Sequence, residues 1–220
     1  MFENLRADLG RYPKRALLLN PSTWAIVSYR FRRAVHRSRF PLLKWPAYGL
    51  GVFTDIVARL ASHVEFPTRC EIGRGLLLPH AGHVIVAADA KIGHHCTIGP
   101  GVTIGHARGG KKKRGGSPEI GDRVYIGPGS IIIGPIHIAN DALIGAGSVV
   151  VASVPPRGVV AGNPARLLSR RGSFEMISYA GMETDPGRIA SLEEGQALDA
   201  SRLIVGAEAS KAQVAEAHVI

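Results

Sequence analysis

His80 is the first residue whose surroundings suggest chemistry. It lies in LLLPHAGHVIV, and imidazole is the side chain best suited to take a proton from a hydroxyl near neutral pH. A carboxylate such as Glu65 could orient the ring through its other nitrogen, as the acid does in a hydrolase triad. A second candidate is GHARGGKKKRGGSPE, where Lys111, Lys112, Lys113 and Arg114 stand among Gly109, Gly110, Gly115 and Gly116. Flexible basic segments of this kind receive phosphates or nucleic acid. Gly105-x4-Gly110-Lys111 has the spacing of a phosphate-binding loop. However, Lys112 stands where Ser or Thr must hold magnesium, and KKRGGSP cannot begin a helix, so nucleotide hydrolysis is excluded. The histidines His80, His83, His94, His95 and His106 raise a zinc site. No spacing among them forces one, and no metal is expected.

The elements that must position these residues follow a period of six. Ile120, Ile126, Ile132, Ile138, Ile144 and Val150 are in strict phase. Val86, Ile92, Ile98 and Ile104 form an earlier run, and Ile72 and Leu78 an earlier pair. Glycine follows the aliphatic residue at Gly73, Gly93, Gly99, Gly105, Gly121, Gly127 and Gly145. This period is neither helical nor that of a simple alternating strand. It fits short strands joined by tight turns, three to a coil, with one aliphatic per strand pointing inward and stacked coils pairing as parallel strands. The runs are out of phase across residues 105–119, which must leave the coil as a protruding loop. A smaller irregularity falls between Leu78 and Val86, at His80. Function is often grafted where a repeat is interrupted.

Residues 1–62 lack the repeat and read as helical. Trp24, Val27, Phe31, Ala34 and Val35 recur at helical steps, and Asn20-Pro21-Ser22-Thr23 is a helix start. The coil is expected over residues 63–168. The tail, residues 169–220, is expected to be partly helical and partly disordered.

The net charge of +10 is uneven, because residues 175–220 hold eight acidic side chains against three basic ones. A basic body suits an anionic partner. Cys70 and Cys96 are too few for a disulfide framework, which fits a reducing cytoplasm. MFENLRADLG lacks the apolar core of a signal peptide. The stretch from Leu42 to Leu60 is too interrupted to span a membrane.

Several stretches together resemble the hexapeptide acyltransferases, and most closely their serine O-acetyltransferase branch. They are CEIGRGLLLPHAGHVIV, CTIGPGVTIG with the Gly/Lys loop, SPEIGDRVYIGPGS, and ALIGAGSVVVASVPPRGVVAGNPARLL with its GNPAR turn. The resemblance implies a mainly β fold, a left-handed parallel β-helix with a helical N-terminal segment. It implies acetyl-coenzyme A as donor and a homotrimer with active sites between subunits. The pairing of trimers into hexamers is left open. By the resemblance His80 is the catalytic base and Glu65 its paired carboxylate. Gly145 and Ala146 lie along the pantetheine arm, and Lys112, Lys113, Arg166 and Arg170 face the cofactor phosphates.

Two departures bear on the acceptor. Serine acetyltransferases usually have Asp before the base, where this chain has Pro79. They have Arg-His before the proline that follows the loop, where this chain has Gly116-Ser117. An amino acid needs both its charges neutralised in a partly buried site. A saccharide or other neutral hydroxyl acceptor, met by Pro79 and Ser117, is therefore the first expectation and L-serine the alternative. A non-catalytic module for anionic polymers would instead bind nucleic acid in a salt-sensitive way and release no thiol. Nucleic acid is not the expected partner. The arginine-rich helices could touch an anionic membrane, but packing at a trimer interface is their expected use.

Overall fold

The computed structural model describes residues 2–38, 41–109 and 115–198. Lys112 and Lys113 lie outside them. The chain divides into two units, Met1–Ala180 and Gly181–Ile220.

The first unit opens with four helices: α1 (Phe2–Leu9), α2 (Ala16–Leu19), α3 (Pro21–Arg37) and α4 (Pro41–Ser62). Among the described residues, fourteen short strands follow in chain order. They are β1 (Val64–Glu65), β2 (Glu71–Ile72), β3 (Val84–Val86), β4 (Lys91–Ile92), β5 (Thr97–Ile98), β6 (Thr103–Gly105) and β7 (Glu119–Ile120), then β8 (Tyr125–Ile126), β9 (Ile131–Ile133), β10 (His137–Ile138), β11 (Leu143–Ile144), β12 (Val149–Val150), β13 (Val159–Gly162) and β14 (Ala165–Ser169).

Successive strands rotate through three faces. The first face is β1-β3-β6-β9-β12, the second β2-β4-β7-β10, and the third β5-β8-β11-β13-β14. All pairs are parallel except β13 with β14. This is the left-handed parallel β-helix. One coil takes three hexads, so Tyr125 pairs with Leu143 and Ile131 with Val149. Val64 pairs with Val84, which leaves two extra residues at the His80 turn. Thr103 pairs with Ile131 across the protruding loop, whose neck closes with an antiparallel bridge between Ala107 and Gly116.

The hexad aliphatics form the core. Ile98, Ile104, Ile126, Ile132, Ile138 and Ile144 are wholly buried, and removing a side chain of this size costs about 2–5 kcal/mol. Glycine is obligatory at Gly127, where a Cβ would lie 2.6 Å from the backbone nitrogen of Ala146 on the next coil.

Helix α3 turns its apolar stripe and a second face to different neighbours. Ala25, Ile26, Tyr29 and Arg30 are buried, while Trp24 and Val27 remain exposed. The buried face is held by a cation. Arg30 donates to both carboxylate oxygens of Asp8 in α1 and to the carbonyls of Ile72 and Gly73 on the coil. A guanidinium so fully partnered can be buried.

Past the end of the repeat, residues 170–180 belong to the first unit. Residues after β14 run back along the corner between the second and third faces. Ser173 donates to the Asp141 and Arg123 carbonyls, and Tyr179 stacks on His95 with centroids 3.9 Å apart. In the second unit residues 186–198 are helical, and Asp185 caps that helix by accepting from the Gly187 N–H at 2.9 Å. Among the described residues no helix is long and apolar enough to cross a membrane.

Candidate active site

The N-terminal segment fixes the turn that carries His80. The Tyr12 hydroxyl accepts from the Leu78 N–H at 2.8 Å and donates to the Leu78 carbonyl at 3.0 Å. Burial pushes its pKa above the usual phenol range, so the hydroxyl keeps the proton it donates. Asn20 caps α3 by accepting from the Ser22 N–H, and its amide donates to the Pro79 carbonyl at 3.3 Å. Arg11 donates to the carbonyls of Gly75, His95 and Cys96. With Leu78 and Pro79 held, His80 is exposed at the edge where the third face turns into the first.

Above His80 the same edge is built from small residues. The turns Gly99–Val102, Gly127–Ser130 and Gly145–Ser148 stack on one another. Gly129 N–H donates to the Pro100 carbonyl, and Gly147 N–H to the Pro128 carbonyl. Ser130 and Ser148 are buried and both donate to the Gly145 carbonyl. From the His80 turn to the Ala146 turn is three strand spacings, roughly 14 Å. At the top, Gly145 N–H donates to Val160 O, and β13 turns back through Gly162 and Asn163 into β14, which carries Arg166. Backbone along this edge is open to a ligand, because Gly101, Gly129 and Gly147 have no side chain and left-handed φ angles of 75°, 69° and 66°.

His80, Pro79, Gly145, Ala146 and Arg166 therefore share one edge. Glu65 faces outward on the first face, where its carboxylate accepts from Arg59 at 2.8 Å. In this structure its recorded partner is Arg59 rather than His80, because α4 ends beside β1 and brings Arg59 over it. Ser117 is on another corner, at the neck of the protruding loop. It donates to Asp89, and His106 Nδ1 lies 3.2 Å from both Ser117 Oγ and Asp89 Oδ2. The Ser117 hydroxyl first, and His106 with it, hold the Asp89 carboxyl below the usual range. No period in the sequence marks this group, since loop closure alone brings its members together.

The other histidines disperse. His83 stacks on His63, the His94 ring nitrogen accepts from the Arg74 N–H, and His95 lies under Tyr179. Among the described residues no three His, Cys, Asp or Glu side chains gather as a metal site would need.

A coil of six-residue repeats with an imidazole at a broken turn is the build of a hexapeptide transferase. Residues 117–152 match the family model "Bacterial transferase hexapeptide (six repeats)". The serine acetyltransferase of Helicobacter pylori (strain ATCC 700392 / 26695) is 32% identical over 154 residues, covering 70% of this chain and 85% of that one. The serine acetyltransferase of Synechococcus elongatus is 28% identical over 199 residues, covering 86% and 78%. Among solved structures, Neisseria gonorrhoeae serine acetyltransferase in complex with serine matches with a TM-score of 0.61 at 31% identity, covering 76% of this chain and 67% of that one. A serine acetyltransferase in complex with CoA matches at 0.59 and 29% identity, covering 75% and 66%. The chain belongs to the serine acetyltransferase-like branch of the hexapeptide-repeat acyltransferases. It is an acyltransferase.

Proposed function

We propose that the chain transfers the acetyl group of acetyl-coenzyme A to the hydroxyl of a small acceptor, L-serine first, with His80 as general base. The observation that carries this reading is His80 at the foot of a glycine-lined edge that ends at Arg166. The pantetheine arm lies along Gly145 and Ala146, and Arg166 with Lys112 and Lys113 of the loop meets the phosphates. The acceptor hydroxyl gives its proton to the His80 imidazole as its oxygen attacks the thioester carbonyl. The tetrahedral oxyanion collapses, the C–S bond breaks, and the departing thiolate recovers the proton from the imidazolium. The products are an acetyl ester and free coenzyme A. Both substrates meet in one groove, so proximity contributes much of the rate and no acyl-enzyme is needed.

The names of the relatives support L-serine over a saccharide, which reverses the order that the sequence suggested. A neutral hydroxyl acceptor remains the second reading, on the specific observation that Pro79 and Ser117 occupy positions where charge clamps were expected. The groove is closed by a second copy in a homotrimer, which the apolar outward side of the first face favours: Ile85, Ile133 and Val151 are exposed there. Two free buried thiols suit a reducing cytoplasm.

The test is thiol release from acetyl-coenzyme A with L-serine and with sugars. His80→Ala should lower turnover by about 10²–10⁴, the usual worth of a general base. Full turnover in that variant would remove His80 from the mechanism.

A further inference from the structure

His80 does not stand on a bare surface. It lines a shallow, open pocket of about 570 Å³, whose opposite wall is the segment leading into α3: Arg15, Asn20 and Pro21 face Pro79, His80 and Ala81. This wall is stapled to the coil at both ends, at Tyr12 through Leu78 and at Asn20 through Pro79. Residues 13–19 therefore bridge two anchors set on adjacent residues of the His80 turn, and Arg15 is held within that bridge.

Arg15 is the arginine that lines the His80 pocket, and its neighbours in the helical segment are engaged elsewhere. Arg30 is spent on Asp8, Arg32 on Asp55, Arg33 on Glu71 and Arg59 on Asp55 and Glu65. Arg11 is spent on backbone carbonyls. Among the described residues, no hydrogen bond or ion pair is recorded for Arg15, and no carboxylate lines its pocket. An arginine without an internal partner, beside the base, presents a planar fork suited to a carboxylate.

We infer that Arg15 is the anion receptor of the acceptor site, where it takes the carboxylate of the hydroxyl acceptor. This rests on the acetyl-transfer reading of His80. Arg15 takes the carboxylate from the N-terminal side of the pocket, while the acceptor hydroxyl reaches His80 from within it. The loop, with Gly116 and Ser117 at its neck, then needs no cation for that purpose. L-Serine and a sugar acid both satisfy this chemistry, and a neutral sugar does not.

Two matched pairs of probes separate the sources: L-serine with its methyl ester, and glucuronate with glucose. Thiol release and calorimetric binding are measured for wild type, Arg15→Gln, Arg15→Lys and a control, Lys14→Gln. In the pair that reacts, wild type should prefer the charged member by about 10–100-fold in KM, the range for a hydrogen bond to a charged group. Arg15→Gln should erase that preference while the KM for acetyl-coenzyme A holds, Arg15→Lys should restore part of it, and Lys14→Gln should change nothing. Equal use of charged and neutral members, or an Arg15→Gln effect confined to acetyl-coenzyme A, overturns the inference and leaves acetyl transfer standing. If coenzyme A neither binds nor is released, acetyl transfer itself is overturned. Calorimetry then decides on Arg15 alone, since carboxylate binding absent from wild type sinks the inference as well.

Discussion

Cys70 and Cys96 are inert for a physical reason. Both are wholly buried, and burial raises the Cys70 thiol to about 11 and the Cys96 thiol to about 12. The Cys96 thiol also donates to the Gly121 carbonyl at 3.2 Å. Neither should be alkylated by iodoacetamide in the native protein at pH 8, and both should react in denaturant. A folded pKa above the unfolded one means that the unfolded chain releases these protons first. Their contribution to stability is full below about pH 8.5, the free thiol value, and declines as pH rises toward 11. The urea midpoint should therefore fall between pH 8 and pH 10.5, and replacing both residues by Ala should flatten that fall. An unchanged slope in the double variant would assign the pH dependence to other groups. At this scale the sequence was only partly legible. The hexad aliphatics declare themselves by spacing, because each position has one inward neighbour per strand. The Ser117–His106–Asp89 group does not, because its contacts depend on where the neck of a loop happens to close. Arg15 does not either, because a bridge between two anchors carries no period.

The helical segment acts as a clamp on the coil, and its strongest fastening is ionic. Asp8 is fully buried, accepts from Arg30 and also from the Leu76 N–H at 2.8 Å, so one carboxylate joins α1, α3 and the first coil. Removing one partner of a buried pair strands the other charge. Asp8→Ala should therefore cost about 3–5 kcal/mol in urea unfolding, and Asp8→Ala with Arg30→Met should recover part of that loss. A loss below about 1 kcal/mol would mean that water reaches Arg30 in the variant. This arrangement shows what the helical stripe could and could not reveal. Periodicity identified α3 as amphipathic, but the apolar stripe containing Trp24, Val27 and Phe31 lines a groove with Leu50, Phe53 and Val57 of α4. The side facing the coil is set by Ala25, Ile26, Tyr29 and a charged residue, and hydropathy alone scores Arg30 as solvent-exposed. The coil itself offers no such ambiguity, since its short strands have no alternative face to bury.

The three faces of the coil differ in what they show to solvent. The second face is charged: Lys91 pairs with Glu119 at 2.6 Å, and Glu71 with Arg33. On the third face Arg11 donates to Thr97, and β14 extends the sheet by pairing with β13. The first face presents Ile85, Ile131, Ile133, Val149 and Val151 outward, and it lies between the edge of His80 and the corner of His106, Asp89 and Ser117. A contact between copies through this face would set the His80 edge of one against the loop corner of the next, which is how a groove with two walls would arise. Light scattering should then give a particle about three times the 23.4 kDa of the chain, or a multiple of it should the exposed apolar residues of α4, among them Trp45, Tyr48 and Phe53, pair one trimer with another. Ile85→Glu with Ile133→Glu places like charges on a surface that would be desolvated on assembly, at positions whose side chains point away from the core. The double variant should keep its β circular dichroism, fall to the mass of one chain and lose thiol release by at least about 10²-fold, since a reaction that depends on proximity fails when one wall leaves. A monomeric variant with full turnover would place the whole reaction on a single chain, at the pocket shared by His80 and Arg15.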